Sequence, residues 1–131
     1  MAKVMIIEDS ASQLAIMEGI VNAAGHETIP CPDLHKGIAQ AFKSGLPDIV
    51  LLDLILLGPN GKPIADGFQI CREIKRVSGG KTGVIIVTSK DDDESADWAV
   101  LQGANAFLQK PFAVEDLIAA INDVLSEKPQ S

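Results

Sequence analysis

Short apolar runs alternate along the chain with longer segments whose apolar residues recur at helical spacing. Five such runs are flanked by turn residues, and the two strongest consist almost entirely of branched aliphatic residues. This alternation is typical of βα units, in which helices cover both faces of a buried parallel sheet. The predicted strands cover residues 4–7, 27–30, 49–52, 84–87 and 106–108.

Helical patterns fit between these runs. The first predicted helix begins at Ser10 or Ser12 as its cap and ends before Gly25, with Leu14, Met17, Ile20, Val21 and Ala24 inside. The next three cover residues 34–44, 67–77 and 92–102, and the last presents Val114, Leu117, Ile118, Ile121 and Leu125 at helical spacing. Right-handed crossovers would wind these units into an open three-layer α/β/α sandwich around a five-stranded parallel sheet.

Composition limits the number of domains and the classes of function. A chain of 131 residues with 47% hydrophobic content predicts one domain, residues 1–126, followed by a short polar tail, 127–131. The net charge of -7 argues against direct nucleic-acid binding, which requires cationic side chains. Cys31 and Cys71 lack the spacing of a zinc or redox motif. No signal peptide or membrane-spanning stretch is evident, so we expect a cytoplasmic protein.

Polar side chains follow four of the five predicted strands. Glu8 and Asp9 come after the first strand, Asp53 after the third, Thr88 after the fourth and Lys110 after the fifth. Each has an ordinary explanation when taken singly, since such residues often cap helices. Because the carboxyl ends of parallel strands form one edge of the sheet, their coincidence predicts a functional crevice there.

The residue types in this crevice suit magnesium-dependent phosphoryl transfer. Mg²⁺ prefers oxygen ligands, and Glu8, Asp9 and Asp53 can supply carboxylates. A carboxylate beside the metal can attack a phosphoryl group, while Lys110 neutralises charge on the phosphoryl oxygens. The hydroxyl of Thr88 is placed to bond the phosphoryl group after transfer. The pattern therefore predicts an aspartyl phosphate at Asp53.

The same residues lie within five blocks that, in order, resemble the receiver domains of bacterial two-component response regulators. The resemblance covers almost the whole chain and implies a doubly wound, flavodoxin-like fold with Asp53 as the phosphoacceptor. The blocks are Ile-Glu-Asp-Ser at 7–10, Pro-Asp-Ile-Val-Leu-Leu-Asp-Leu at 47–54, Asp-Gly-Phe at 66–68, Ile-Val-Thr-Ser-Lys at 86–90 and Gly-Ala-Asn-Ala-Phe-Leu-Gln-Lys-Pro-Phe at 103–112.

The resemblance also implies roles for the neighbours of Asp53. Asp9 would bind Mg²⁺ directly, Glu8 would bind it through water, and the backbone carbonyl of Ile55 would be a neutral ligand. Thr88 and Phe107 would form a switch pair, in which the hydroxyl moves toward the phosphoryl group and the ring turns inward. Lys110, already predicted to neutralise phosphoryl oxygens, would be the lysine that contacts the phosphate.

The implied function is that of a stand-alone, chemotaxis-regulator-like response regulator. A histidine kinase or phosphotransfer protein would donate the phosphoryl group, and a downstream target protein would read the altered surface. The domain would catalyse its own phosphorylation and dephosphorylation without being an enzyme in the turnover sense. The alternatives are a receiver-like scaffold that does not use phosphorylation and a small Mg²⁺-dependent phosphatase. The phosphatase usually needs a second Asp two residues after the nucleophile, where Ile55 stands.

The segment after the predicted acceptor is longer than the resemblance implies. Either Asn60-Gly61 or Asp66-Gly67 takes the family's turn before the third helix, and the second alignment is preferred because residues 67–75 read as that helix. Residues 59–63 then form an exposed, hairpin-like tip. One hypothesis is that this insertion shapes partner contact or shields the acyl phosphate from water, and the other is that it is inert.

Overall fold

The computed structural model describes residues 2–8, 10–31, 37–43, 45–53, 55–57, 63–88, 103–110 and 112–127. Within these ranges, side chains are described except at residues 37, 53, 55–57, 63–69, 88 and 127. Several features of the sequence prediction lie wholly or partly outside the described residues, among them Asp9, the helix at 92–102, the tip at 59–63 and residues 128–131.

The described elements follow the predicted alternation of strands and helices. All five predicted strands are present, each one to two residues longer than predicted. In chain order the elements are β1 (Lys3–Ile7), α1 (Ala11–Ala23), β2 (Glu27–Cys31), α2 (Gly37–Ala41), β3 (Ile49–Asp53), β4 (Ile55–Leu57), β5 (Pro63–Asp66), α3 (Gly67–Ser78), β6 (Gly83–Thr88), β7 (Ala106–Gln109) and α4 (Val114–Glu127).

Five strands form one parallel sheet in the order β2-β1-β3-β6-β7, which confirms the predicted doubly wound architecture. Side chains of each central strand point alternately to the two faces, and a separate apolar cluster covers each face. Met5 and Ile7 pack with α2 and α3, whereas Val4 and Ile6 pack with α1 and α4. The central strands β1, β3 and β6 are therefore buried on both sides, as their continuous apolar runs predict.

Helix α1 begins and ends at the predicted signals. The Ser10 hydroxyl accepts a hydrogen bond from the Gln13 backbone N–H at 3.4 Å, so Ser10 is the cap. Gly25 follows the helix with a φ of 90°, a conformation that glycine adopts without strain. The predicted inner face is confirmed in part: Leu14, Met17 and Val21 are buried, whereas Ile20 and Ala24 are half-buried.

The C-terminal helix α4 differs from the prediction in the exposure of its first residue and in the position of its last residue. Of the five apolar residues predicted at helical spacing, Leu117 and Ile121 are buried, Ile118 and Leu125 are half-buried, and Val114 is 47% exposed; Val124, which was not in that set, is also buried. At the other end the helix continues to Glu127, past the predicted start of the polar tail. Ser126 Oγ donates to the Asn122 carbonyl at 2.9 Å, which stabilises this last turn.

An antiparallel hairpin separates β3 from α3. Strand β4 pairs with β5, with Ile55 opposite Asp66, in a two-stranded sheet apart from the main one. Helix α3 begins at Gly67, directly after the hairpin, which agrees with the preferred alignment. The sequence analysis assigned no strands to this segment and placed a hairpin-like tip at residues 59–63; the structure adds strands at 55–57 and 63–66, while residues 58–62 lie outside the described range.

Helix α2 is shorter than predicted, since it covers Gly37–Ala41 where residues 34–44 were expected. Part of the difference falls at 34–36 and 44, which lie outside the described residues. At its end the chain turns, with the Phe42 and Lys43 amides bonded to carbonyls of the helix and Phe42 buried against β1 and β3. In the described part of the chain, no helix has the length and apolar character needed to cross a membrane.

Candidate functional site

The carboxyl ends of four neighbouring strands meet at one edge of the main sheet. Ile7, the last residue of β1, is in register with Leu52, so Asp53 extends one residue further along β3. Asp53 is in register with Val87 of β6, and Thr88 is in register with Gln109 of β7. The topology therefore brings the backbones of Glu8, Asp53, Thr88 and Lys110 to the same edge.

Two of the predicted site residues are in direct contact there. The Lys110 ammonium lies 2.7 Å from Glu8 Oε2, although 102 positions separate the two residues. Glu8 is only 1% exposed, and the Lys110 side chain is 16% exposed. A buried carboxylate requires a compensating charge, and Lys110 supplies it in this structure.

Backbone contacts hold Glu8 in this position. Its other oxygen, Oε1, accepts a hydrogen bond from the Ser10 N–H at 3.2 Å. Its own N–H donates to the Cys31 carbonyl at the end of β2, also at 3.2 Å. The Cys31 bond thus anchors the Glu8 backbone and the Ser10 bond orients the carboxylate, so this orientation does not depend on the ion pair alone.

Helix α1 contributes a contact that the sequence analysis missed. The Gln13 side-chain oxygen accepts a hydrogen bond from the Lys110 ammonium. Gln13 lies in the first turn of α1, where the Ser10 cap orients the backbone. A polar residue early in an amphipathic helix is common, so the sequence held no distinctive signal for this contact.

The remaining predicted site residues are placed by their backbones. Asp53 ends β3, Thr88 ends β6 and Ile55 begins β4, whereas Asp9 lies outside the described residues. Phe107 lies in β7, in register with Ile86, and its half-buried ring packs against the cluster under α2 and α3. The structure thus joins Glu8 to Lys110 directly, and the chemical roles of all these residues stay predictions.

Comparison with known proteins identifies the family. A family model for the response regulator receiver domain matches residues 4–122. The chain belongs to this family. Protein PilH of Pseudomonas aeruginosa is 33% identical over 127 residues, which cover 96% of this chain and 99% of PilH. The resemblance inferred from the five sequence blocks is therefore confirmed.

Two further comparisons support the receiver-domain fold. Response regulator ArlR of Staphylococcus saprophyticus is 31% identical over 130 residues, which cover 99% of this chain and 55% of ArlR. The chain therefore spans about half the length of that relative. The structure of chemotaxis protein CheY4 of Vibrio cholerae is similar with a TM-score of 0.80 and 26% identity, covering 95% of this chain and 98% of that one. The CheY-like, flavodoxin-like fold is thus shown.

The side chains at the edge of this receiver domain are compatible with a hard divalent cation. Glu8 offers a buried, oriented carboxylate, and the Asp53 backbone ends the adjacent strand. Oxygen donors of this kind are those that Mg²⁺ takes in proteins. Among the described side chains, no three Asp, Glu, His or Cys residues cluster as a metal site. The carboxylates of Asp9 and Asp53, which such a site would need, are not among the described side chains.

An open, mainly apolar groove adjoins Lys110 on the α1 side of the receiver domain. It has a volume of about 460 Å³. Ile16, which is 61% exposed, lies on its α1 side, and the exposed Val114 lies at the start of α4. The exposure of Val114 is explained by this position, because the first turn of α4 lines the groove rather than the core. The lining residues are Gln13, Ile16, Met17, Ile20, Lys110, Phe112 and Val114.

Cys31 meets the site through its backbone carbonyl, which accepts the Glu8 N–H, and Cys71 lies in helix α3. Cys71 is fully buried in α3. Burial raises the pKa of the Cys71 thiol to about 11, with a smaller opposing effect from Lys75. The thiolate of Cys71 is therefore a minor species near neutral pH, which does not favour a nucleophilic role.

Proposed function

We propose that this receiver domain is a phosphoacceptor switch that takes a phosphoryl group onto Asp53. The observation that carries the proposal is the ion pair between Glu8 and Lys110, at the edge where Asp53 ends β3. This pair brings an anion and a cation, both largely buried, beside a third charged residue. Because a buried ion pair is costly to desolvate, its presence at this edge favours a functional use, and phosphoryl transfer would use Glu8, Lys110 and Asp53 together.

The reaction transfers the phosphoryl group from a phosphohistidine to a carboxylate. An oxygen of Asp53 attacks phosphorus, the bond between phosphorus and the histidine nitrogen breaks, and that nitrogen keeps the electron pair. Lys110 neutralises charge on the phosphoryl oxygens as the group moves. Its position beside Asp53 depends on Glu8, which holds the ammonium at this edge of the sheet.

Glu8, Asp9 and Asp53, with the Ile55 carbonyl, are the residues that would hold Mg²⁺. When bound, the metal neutralises charge on the transferring phosphoryl group and orients it for in-line attack. Glu8 would act through water, which suits a carboxylate that also accepts hydrogen bonds from Ser10 and Lys110. Ile55 begins β4, so the hairpin supplies the carbonyl ligand from its first residue.

The phosphoryl group would be read out through Thr88 and Phe107. Thr88 ends β6 beside Asp53, and its hydroxyl would move to bond the phosphoryl group. Phe107 lies on the neighbouring strand with a half-buried ring, so an inward turn of that ring would change the surface over β7. Receiver domains interact with kinases and downstream effectors, and this surface is the one that we assign to the downstream target.

The partners of the reaction follow from its chemistry. The donor is a histidine kinase or phosphotransfer protein, and the response passes to a target protein in the cytoplasm. The similarity to PilH over 99% of that protein supports a regulator that acts through the receiver surface itself. Catalysis is confined to the domain's own phosphorylation and dephosphorylation.

Acetyl phosphate offers a direct test of the proposal, because it replaces the donor protein. The protein is incubated with acetyl phosphate and Mg²⁺, with and without excess EDTA, and separated on a phosphate-affinity gel. We expect a shifted band that forms with Mg²⁺ and disappears with EDTA. A shifted band that persists in EDTA would contradict the Mg²⁺ dependence, and the absence of a shifted band would instead support a scaffold that does not use phosphorylation.

A further inference from the structure

The contact between Gln13 and Lys110 has no role in the function proposed above. Gln13 is held at the start of α1, and its amide oxygen accepts from the same ammonium that pairs with Glu8. Lys110 therefore has one charged and one neutral acceptor among its partners. The two acceptors come from different segments, the end of β1 and the first turn of α1.

These two acceptors differ in what they do to the charge of Lys110. The carboxylate of Glu8 neutralises the ammonium, and it is also one of the groups that Mg²⁺ would engage. The amide of Gln13 fixes the ammonium by a hydrogen bond but leaves its positive charge uncompensated. If Mg²⁺ were to engage Glu8, the Gln13 contact would continue to hold Lys110.

We propose that Gln13 is a positioning residue for phosphoryl transfer, which keeps Lys110 directed into the crevice while Glu8 serves the metal. The inference rests on the proposed function. It assigns α1 a part in the chemistry, since the Ser10 cap fixes the backbone from which Gln13 reaches Lys110. Replacing the amide with an apolar group of similar length should leave the ammonium mobile and reduce the rate of transfer.

The test uses Gln13→Met, which keeps side-chain length and removes the acceptor. Gln40→Met is the matched control, because Gln40 is an exposed glutamine on α2. Phosphorylation by acetyl phosphate at saturating Mg²⁺ is followed by intact mass. A hydrogen bond to a charged group contributes enough to change a rate by about tenfold, so we expect a rate about tenfold lower for Gln13→Met and unchanged for Gln40→Met.

Two readouts separate positioning from a general structural effect. In a Lys110→Met background, adding Gln13→Met should cause no further loss of rate, because the group it positions is absent. In NMR spectra of the lysine ammonium groups of the metal-free protein, Gln13→Met should shift the Lys110 signal, and Gln40→Met should not. Gln13→Glu is a second variant: it keeps an acceptor but neutralises Lys110, so we expect slower transfer without loss of stability.

The outcomes distinguish this inference from the proposed function. Wild-type phosphorylation at normal rate, together with an unchanged rate in Gln13→Met, would overturn the positioning role alone. An additive loss in the Lys110→Met background would also overturn it, because the effect would then come from elsewhere. Absence of phosphorylation in the wild type would reject the proposed function and the positioning role with it.

Discussion

Replacing Lys110 with Met should destabilise the folded protein because it leaves Glu8 as a buried charge without its cation. Glu8 is 1% exposed, and Lys110 lies 2.7 Å from its Oε2. The Ser10 N–H still donates to Oε1 of Glu8, so only Oε2 loses the partner that Lys110 provides. Met preserves the length and much of the packing of the lysine side chain, so the change isolates the charge.

The expected size of the effect follows from this geometry. At an effective dielectric constant of about 20, opposite charges at this separation attract by roughly 6 kcal/mol. The Lys110 side chain is 16% exposed, so in the variant water can enter there and solvate the Glu8 carboxylate in place of the lost ammonium. Breaking a buried pair by removing one partner costs about 3–5 kcal/mol, and we take the lower end, about 3 kcal/mol, because of that access.

Urea unfolding in EDTA-containing buffer measures this loss. With a slope of about 2 kcal/mol per molar urea, the midpoint should fall by about 1.5 M. The double variant Glu8→Gln, Lys110→Met should recover much of the loss, because the buried charge is gone. The exposed pair of Arg76 and Glu73, 3.7 Å apart, is the control: Arg76→Met should cost under about 1 kcal/mol. A loss for Lys110→Met no larger than for Arg76→Met would refute the reasoning.

Three further predictions address packing, a buried thiol and the hairpin. A Cβ at Gly83 would lie 2.5 Å from Val124 Cγ1, so Gly83→Ala should lower the free energy of unfolding by about 1–3 kcal/mol. The loss should be smaller in a Val124→Ala background, where the clashing methyl group is absent. Equal losses in the two backgrounds would contradict this explanation. Burial raises the Cys71 pKa to about 11, so the folded protein holds the thiol proton more tightly than the unfolded chain does. The free energy of unfolding should therefore fall by roughly 2–3 kcal/mol as the pH rises from about 9 to about 11. An equal fall in the free energy of unfolding of Cys71→Ala would refute this reasoning. If the hairpin shields the aspartyl phosphate from water, deleting residues 58–64 should shorten the lifetime of the phosphorylated protein. An unchanged lifetime together with unchanged partner binding would show that the insertion is inert.

The main sheet was predictable because its strands are buried on both faces. Continuous aliphatic runs such as 49–52 and 84–87 have few other stable placements, and the residues after them then fall at one edge of the sheet. The shared location of Glu8 and Lys110 was predicted at that level, since both follow strands of the same sheet, but their ion pair was not. Periodicity thus located the site without identifying its contacts.

The features that were missed depend on tertiary contacts that periodicity does not encode. Val114 fits the helical repeat of α4, but its turn begins beyond the sheet and lines the groove, so the side chain is exposed. Residues 55–57 and 63–66 pair with each other rather than with the main sheet, and the sequence pattern indicated a hairpin-like tip between them without indicating the strands. Gln13 meets Lys110 only in the folded chain, where the first turn of α1 lies beside the residue that follows β7.

The central claim, that Asp53 accepts the phosphoryl group, is tested most directly by intact mass measurement after incubation with acetyl phosphate and Mg²⁺. Asp123→Ala is the matched control, because Asp123 is an exposed aspartate on α4. The wild type and Asp123→Ala should each gain the mass of one phosphoryl group, and Asp53→Ala should gain none. Equal labelling of Asp53→Ala and the wild type, or no label on the wild type, would contradict the account.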